Sequence, residues 1–305
     1  MAAGGGAVEA GALGGAALVL FVGGLLLPAG GFLTVVSPIP LLVLAGRGGL
    51  PLTAAVGAGA ALMALALEAQ AAAAFLLQVA APVLAMGAAA RRAKTPVPPV
   101  LAGAGAGLVG VALLVGWGVG FRPGAAVAAV GAHVDGVLND LVAGASRMGL
   151  PGEQVRELAG WMGGLRDAVV ALLPGLLATA ELLRTVLVYG VAGAILRRLG
   201  APLPPLAEWR LADGWVWAFI GAGSLMVLPA TRQLGMNLFV PVIGLYFVEG
   251  VAVAADLARR YRLPPGLWAF GLLLLLLQPL TAFAVAALGL FDVWCGFRRR
   301  ERTAR

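Results

Sequence analysis

Glu181 and Arg184 stand three residues apart inside an apolar run covering residues 168–196, a spacing that puts them on neighbouring positions of one helical face. In the run 238–256, Glu249 has Tyr246 three residues before it and Asp256 seven after it, so these three share one side of a helix. Carboxylates and a guanidinium in apolar surroundings can hold a proton, a cation or a substrate amine, or can neutralise one another. An interhelical pair of Arg184 with Glu249 or Glu181 would leave one carboxylate spare for a ligand. A pair of Glu181 with Arg184 along their own helix would make the same charges a structural clamp.

Known catalytic templates are missing from the sequence. There is no Gly-x-x-x-x-Gly-Lys phosphate loop, no His-Glu-x-x-His, no Gly-x-Ser-x-Gly and no paired-Asp loop. A single cysteine, Cys295, and a single histidine, His133, supply neither a disulfide nor a soft metal site. His133 with Asp135 and Asp140 reads as a solvated helix face. No enzymatic activity, no cofactor and no metal are expected.

The elements that position these side chains follow from composition. The chain has 305 residues, 61% of them hydrophobic and only 11% charged, with a mean hydropathy of +0.98. Soluble domains carry about 25% charged residues, so an ordinary soluble enzyme is excluded. At about 20 apolar residues per span the chain has room for about eight to ten spans. The expected fold is an all-α, polytopic transmembrane helix bundle with a polar amphipathic-helical insertion near residues 122–167.

Apolar runs cover residues 8–27, 32–46, 50–67, 71–90, 97–121, 168–196, 215–228, 238–256 and 268–291. The first starts without a basic leader and reads as a retained span rather than a signal peptide. It carries Gly11, Ala12, Gly15 and Ala16, a smooth strip against which another helix could pack. The second is broken at Ser37-Pro38-Ile39-Pro40, where two prolines remove amide donors. Trp117 and Phe121 end the fifth and suit an interfacial belt. Residues 122–167 hold His133, Asp135, Asn139, Asp140, Arg147, Glu153, Arg156 and Glu157. Their apolar positions recur at helical spacing, as in amphipathic helices lying on the membrane or capping the bundle. The chain thus divides into N-terminal membrane helices (1–121), an amphipathic interfacial segment (122–167), C-terminal membrane helices (168–297) and a basic tail (298–305).

The net charge of +7 comes from 21 basic residues, of which only Lys94 is lysine, against 14 acids. The clusters Arg91-Arg92-Ala93-Lys94, Arg197-Arg198 and Arg259-Arg260-Tyr261-Arg262 are each two spans apart, so all three fall on one side, which the positive-inside rule makes cytoplasmic. Topology rather than nucleic acid explains this excess, and no nucleic-acid partner is expected. Arginine in place of lysine, with abundant Ala and Gly, fits a bacterial protein of the inner (cytoplasmic) membrane. Within residues 169–196, Glu181 and Arg184 cost about 5 to 7 kcal/mol of insertion energy, and the run's Leu, Ile and Val residues return about as much. The two charges are therefore expected to face the bundle or a wet cavity rather than lipid.

From residue 172 onward the order of features resembles the YybS-like family of predicted bacterial membrane proteins, a family of unknown function. The resemblance rests on Leu173-Pro174-Gly175, on the span end Leu196-Arg197-Arg198-Leu199-Gly200, and on the Pro-rich interfacial element Pro202-Leu203-Pro204-Pro205 running to Glu208-Trp209-Arg210-Leu211. It continues through Gly235-Met236-Asn237-Leu238, Leu245-Tyr246-Phe247-Val248-Glu249-Gly250 and the closing Leu290-Phe291-Asp292-Val293-Trp294-Cys295-Gly296. Asn237 and Asp292 join the candidate residues as family-pattern positions near helix ends. A glutamine often stands in that pattern where this chain has Glu249, which implies hydrogen bonding more than charge there. The family is distantly similar to the S components of energy-coupling-factor transporters, small helical membrane proteins that capture vitamins or metals.

The resemblance implies a small-ligand-binding or transport-associated subunit. An unknown small molecule would sit in a cavity formed by the sixth, eighth and last spans, with Glu181, Arg184, Tyr246, Glu249, Asn237 and Asp292 as ligand-binding residues. Beyond the lipid bilayer, a membrane-protein partner would dock through Gly11, Ala12, Gly15 and Ala16. The alternative is a non-transporting scaffold or assembly factor in which the same charges are structural ion pairs.

Overall fold

In a computed structural model the described residues are 2–28, 30–122, 124–201, 203–264, 266, 267, 271 and 278–295, and no strand occurs among them. The helices are α1 (Ala2–Leu26), α2 (Gly31–Val36), α3 (Pro38–Gly48), α4 (Leu50–Ala64), α5 (Ala69–Phe75) and α6 (Ala81–Ala90), with a π-helical turn (Leu76–Ala80) joining the last two. They continue as α7 (Val97–Gly118), α8 (Ala125–Arg147), α9 (Gly152–Arg198), a 3₁₀ turn (Leu206–Glu208), α10 (Trp215–Val227), α11 (Arg232–Arg260) and α12 (Pro279–Cys295). The basic tail 298–305 and most of the run 268–277 lie outside the described residues.

Seven helical stretches among the described residues are long and apolar enough to cross a membrane, and Leu50–Ala64, Trp215–Val227 and Leu280–Cys295 are shorter apolar helices beside them. The protein is a polytopic helical membrane bundle. The break in the second run is a single residue wide. Ser37 keeps helical dihedrals, its N–H donates to the Leu33 carbonyl and its hydroxyl to the Thr34 carbonyl at 2.8 Å. Proline in the first turn of α3 sits where the N–H has no intrahelical acceptor, so Gly31–Gly48 is one stretch long and apolar enough to cross a membrane.

Helix α9 is the axis of the molecule. It packs against α3, α7, α8 and α11, and Leu182, Val188, Ala192 and Leu196 join the buried core with Leu41 and Leu42 of α3 and Val100 of α7. Phe21 of α1 meets Phe75 of α5 edge-on, ring centres 5.4 Å apart, which fastens the outer N-terminal helix. At 47 residues α9 is about 70 Å long, more than twice the ~30 Å hydrocarbon thickness of a bilayer. Its charged first turns, with Glu153, Arg156 and Glu157, are the part with reason to leave the membrane.

The interfacial segment expected at 122–167 forms two helices, and the second is the start of α9, which runs through residue 167 without a break. Helix α8 lies along this part of α9, and Arg166 donates to Asp135 at 2.9 Å. Despite Asp135, Asn139 and Asp140, α8 is itself apolar and long enough to cross a membrane by length and composition. His133 is exposed on it.

Candidate functional site

The Glu181 and Arg184 side chains are 10% and 13% exposed, and they pair along α9. Arg184 donates to Glu181 Oε2 from Nη2 at 2.6 Å and from Nε at 3.0 Å, and its Nη1 donates to the Gln78 carbonyl at 2.8 Å. Gln78 sits in the π-helical turn, where the change of hydrogen-bond register alters which carbonyls have helical donors. The Gln78 side chain in turn donates to the Gly107 carbonyl on α7 at 3.0 Å. Helix α7 comes this close because Gly103, Gly107 and Gly110 lie on one stripe. A Cβ at Gly107 would collide with the Glu181 carboxylate, and one at Gly110 would stand 2.5 Å from the Leu77 carbonyl. The pair is thus a clamp joining α9, the π turn and α7.

Asn237 closes a second junction, where two proline-containing helices cross. Pro174 in α9 and Pro241 in α11 each lack an N–H, so the carbonyls four residues before them lose helical donors. The Asn237 carboxamide accepts the Gly175 N–H at 2.9 Å and donates to the Ala171 carbonyl at 2.9 Å, and to Gln233 O of its own helix at 2.9 Å. Gln233 also donates to Ala171 O. A Cβ on Gly175 would stand 2.7 Å from the Asn237 carbonyl, so only glycine lets the two backbones meet there.

Glu249 makes the third. It is 1% exposed, and its Oε2 accepts the Leu211 N–H at 2.8 Å. The connection 203–211 folds back among the helices, with Trp209 fully buried and the Tyr189 hydroxyl donating to Pro204 O at 3.0 Å. Non-helical backbone at such a position needs protein acceptors and donors, and Glu249 and Tyr189 supply them. Tyr246 is buried edge-on against Phe219 of α10 with centroids 5.9 Å apart, and its hydroxyl has no hydrogen-bond partner among the described residues. Asp292 is buried on α12, which packs closely on α11. Cβ atoms on Gly250 and Gly289 would run into the Val285 and Tyr246 carbonyls respectively.

Four of the six residues singled out in the sequence, Glu181, Arg184, Asn237 and Glu249, thus bond at three separate junctions, and Tyr246 and Asp292 are buried on α11 and α12. Arg184 pairs with Glu181, not with Glu249. None of the six lines any of the three cavities the structure describes.

The largest of these, about 650 Å³, is an apolar groove between α9 and α11 beside the 3₁₀ turn. Val186, Leu206, Val251 and Ala255 form its walls, and Arg259 and Arg262 stand at one end. A second cavity of about 460 Å³ adjoins it through Leu206, Ala207 and Arg259 and adds Tyr189 and Arg197. A third, about 400 Å³, holds Arg47 and Arg91 next to Leu203. Members of all the basic clusters before the tail thus meet at one end of the bundle, around the 201–207 connection. The groove has a trace in the sequence: Val248, Val251, Ala255 and Ala258 fall on one helical stripe of α11, and Arg262 follows just past its end. Its other wall comes from residues some 60 positions away, which no spacing rule connects.

A family model described as "Predicted membrane protein (DUF2232)" matches residues 15–293. No curated protein and no solved structure matches the chain.

Proposed function

The chain belongs to the DUF2232 family of predicted membrane proteins, and from that premise we propose that it is a small-ligand-binding, transport-associated subunit of the bacterial inner membrane. On this reading it binds rather than catalyses, and its ligand occupies the groove between α9 and α11. One observation carries the reading: a groove of about 650 Å³ joined to a second cavity of about 460 Å³, within the 300 to 1,000 Å³ usual for small-molecule sites. The YybS-like resemblance and the more distant one to S components agree with it. Without a phosphate loop the chain needs a partner to supply energy. The strip Gly11, Ala12, Gly15 and Ala16 suits such docking, because all four are exposed while Ala10, Gly14, Ala17 and Phe21 turn inward.

A scaffold or assembly factor is the second reading. What favours it is that Glu181, Arg184, Asn237 and Glu249 all bond to groups of the protein itself.

Native mass spectrometry of the protein purified gently from its own membranes separates the two. A co-purifying small molecule that disappears in Ala252→Trp, which fills the groove, supports capture. A ligand-free protein that brings a second membrane protein with it supports the scaffold.

A further inference from the structure

We infer that the ligand of the α9–α11 groove is an anionic lipid, one whose phosphate head carries net negative charge, with its apolar body against Val186, Val251, Ala252 and Ala255 and its head among Arg197, Arg259 and Arg262. This rests on the reading of the groove as a ligand site and adds the chemistry of the ligand.

The walls decide the body. Every residue lining the groove is apolar except Arg259 and Arg262. A hydrophilic solute would leave its polar groups against these walls without partners, at a cost no burial of apolar surface offsets. An acyl or isoprenyl chain loses nothing there.

The charges decide the head. Arg259 lines both cavities, Arg262 the groove and Arg197 the adjoining cavity. Among the described residues Asp256 is the carboxylate that pairs in this arginine cluster, with Arg260 at 2.6 Å and with Arg259 at a longer 3.4 Å. The guanidinium groups of Arg197 and Arg262 have no hydrogen-bond or ion-pair partner among the described residues. Glu208, the acid of the 3₁₀ turn, lines neither cavity. Arg259, which shares Asp256 with Arg260, stands on these walls with the unpaired Arg197 and Arg262; such an excess of guanidinium suits an oxyanion, and guanidinium forks match phosphate geometry. Arg262, two residues past the end of α11, has φ of 49°, a left-handed conformation in which glycine or asparagine is usual.

Position agrees with chemistry. The arginines lie at the basic end of the bundle, and Tyr261 between them is exposed, as an aromatic at the headgroup level would be. A lipid entering sideways from that leaflet would bring its phosphate to the arginines and its chain to the groove.

The test uses the full-length protein in micelles, titrated with phosphatidylglycerol or phosphatidylcholine of identical acyl chains and read by native mass spectrometry. Phosphatidylglycerol is expected to be retained at least about tenfold better, the scale of two interfacial arginines acting on an anionic head. The double variant R259Q/R262Q should lose that preference while keeping its melting temperature, and Ala252→Trp should lose both lipids. Equal retention of the two lipids by the unaltered protein, or an undiminished preference in R259Q/R262Q, overturns the assignment. Inorganic phosphate alone that raises the melting temperature as much as phosphatidylglycerol does would assign the arginines to a free anion and overturn the lipid. A neutral or cationic molecule that co-purifies and is lost in Ala252→Trp would refute the lipid head while the groove remained a ligand site. No bound molecule and no lipid preference would remove both readings.

Discussion

The Asn237 side chain and the Gly175 backbone are joined across two helices, with the carboxamide oxygen 2.9 Å from the Gly175 N–H and the amide nitrogen 2.9 Å from the Ala171 carbonyl. Pro174 frees the Val170 carbonyl, one residue before the acceptor, so the asparagine braces the α9 backbone beside the proline to α11 rather than replacing the missing donor. Asn237→Ala should lower stability by about 1 to 3 kcal/mol, the cost of leaving such groups unpaired. Thermal unfolding in micelles measures this, and an unchanged melting temperature would show that the junction carries no weight.

Breaking the Glu181 to Arg184 pair from one side should be worse than removing it whole. Glu181→Gln or Arg184→Met each leaves a charge without its partner in the bundle, a loss of about 3 to 5 kcal/mol. The double variant should recover much of it, because no unpaired charge remains. A double variant as unstable as the two single losses added together would contradict the clamp.

Glu249 should tolerate Gln better than Leu. Glutamine keeps an acceptor for the Leu211 N–H, whereas leucine leaves that amide buried and unpaired, at about 1 to 3 kcal/mol. Protease sensitivity of the 203–211 connection, compared for the two variants, reads the difference directly.

Two glycine substitutions should act in opposite directions. Gly289→Ala puts a methyl group into the Tyr246 carbonyl and should destabilise by about 1 to 3 kcal/mol through overpacking of α11 and α12. Nothing lies within 4 Å of a Cβ on Gly11, so Gly11→Ala should stabilise α1 by about 0.5 to 1 kcal/mol. If a partner docks on that strip, Gly11→Ala should instead reduce its co-purification while the isolated protein melts no lower.

The sequence by itself determined the solvent and the class of fold. With 61% hydrophobic and 11% charged residues, backbone polar groups must pair within helices, and the bilayer allows little else. It also determined local pairings, because helical periodicity alone brings Glu181 beside Arg184 at three residues' spacing. The two-span separation of the basic clusters foretold that Arg91, Arg197 and Arg259 would gather at one end.

Tertiary structure decided which groups those side chains serve. Nothing local to Asn237 announces a partner 62 residues earlier, or ties Glu249 to a backbone amide 38 residues before it. Scarcity of charge in an apolar chain singles out Glu181, Arg184, Asn237 and Glu249, and the fold supplies the distant backbone groups that Arg184, Asn237 and Glu249 bond: the Gln78 carbonyl of the π turn, the Gly175 amide and the Leu211 amide. The groove needed the whole fold too, since its lining brings Val186 of α9 and Leu206 of the 3₁₀ turn against α11. Periodicity fixes the face a helix buries. The neighbour that covers that face is chosen by close packing, where glycines such as Gly110, Gly175, Gly250 and Gly289 let particular backbones approach.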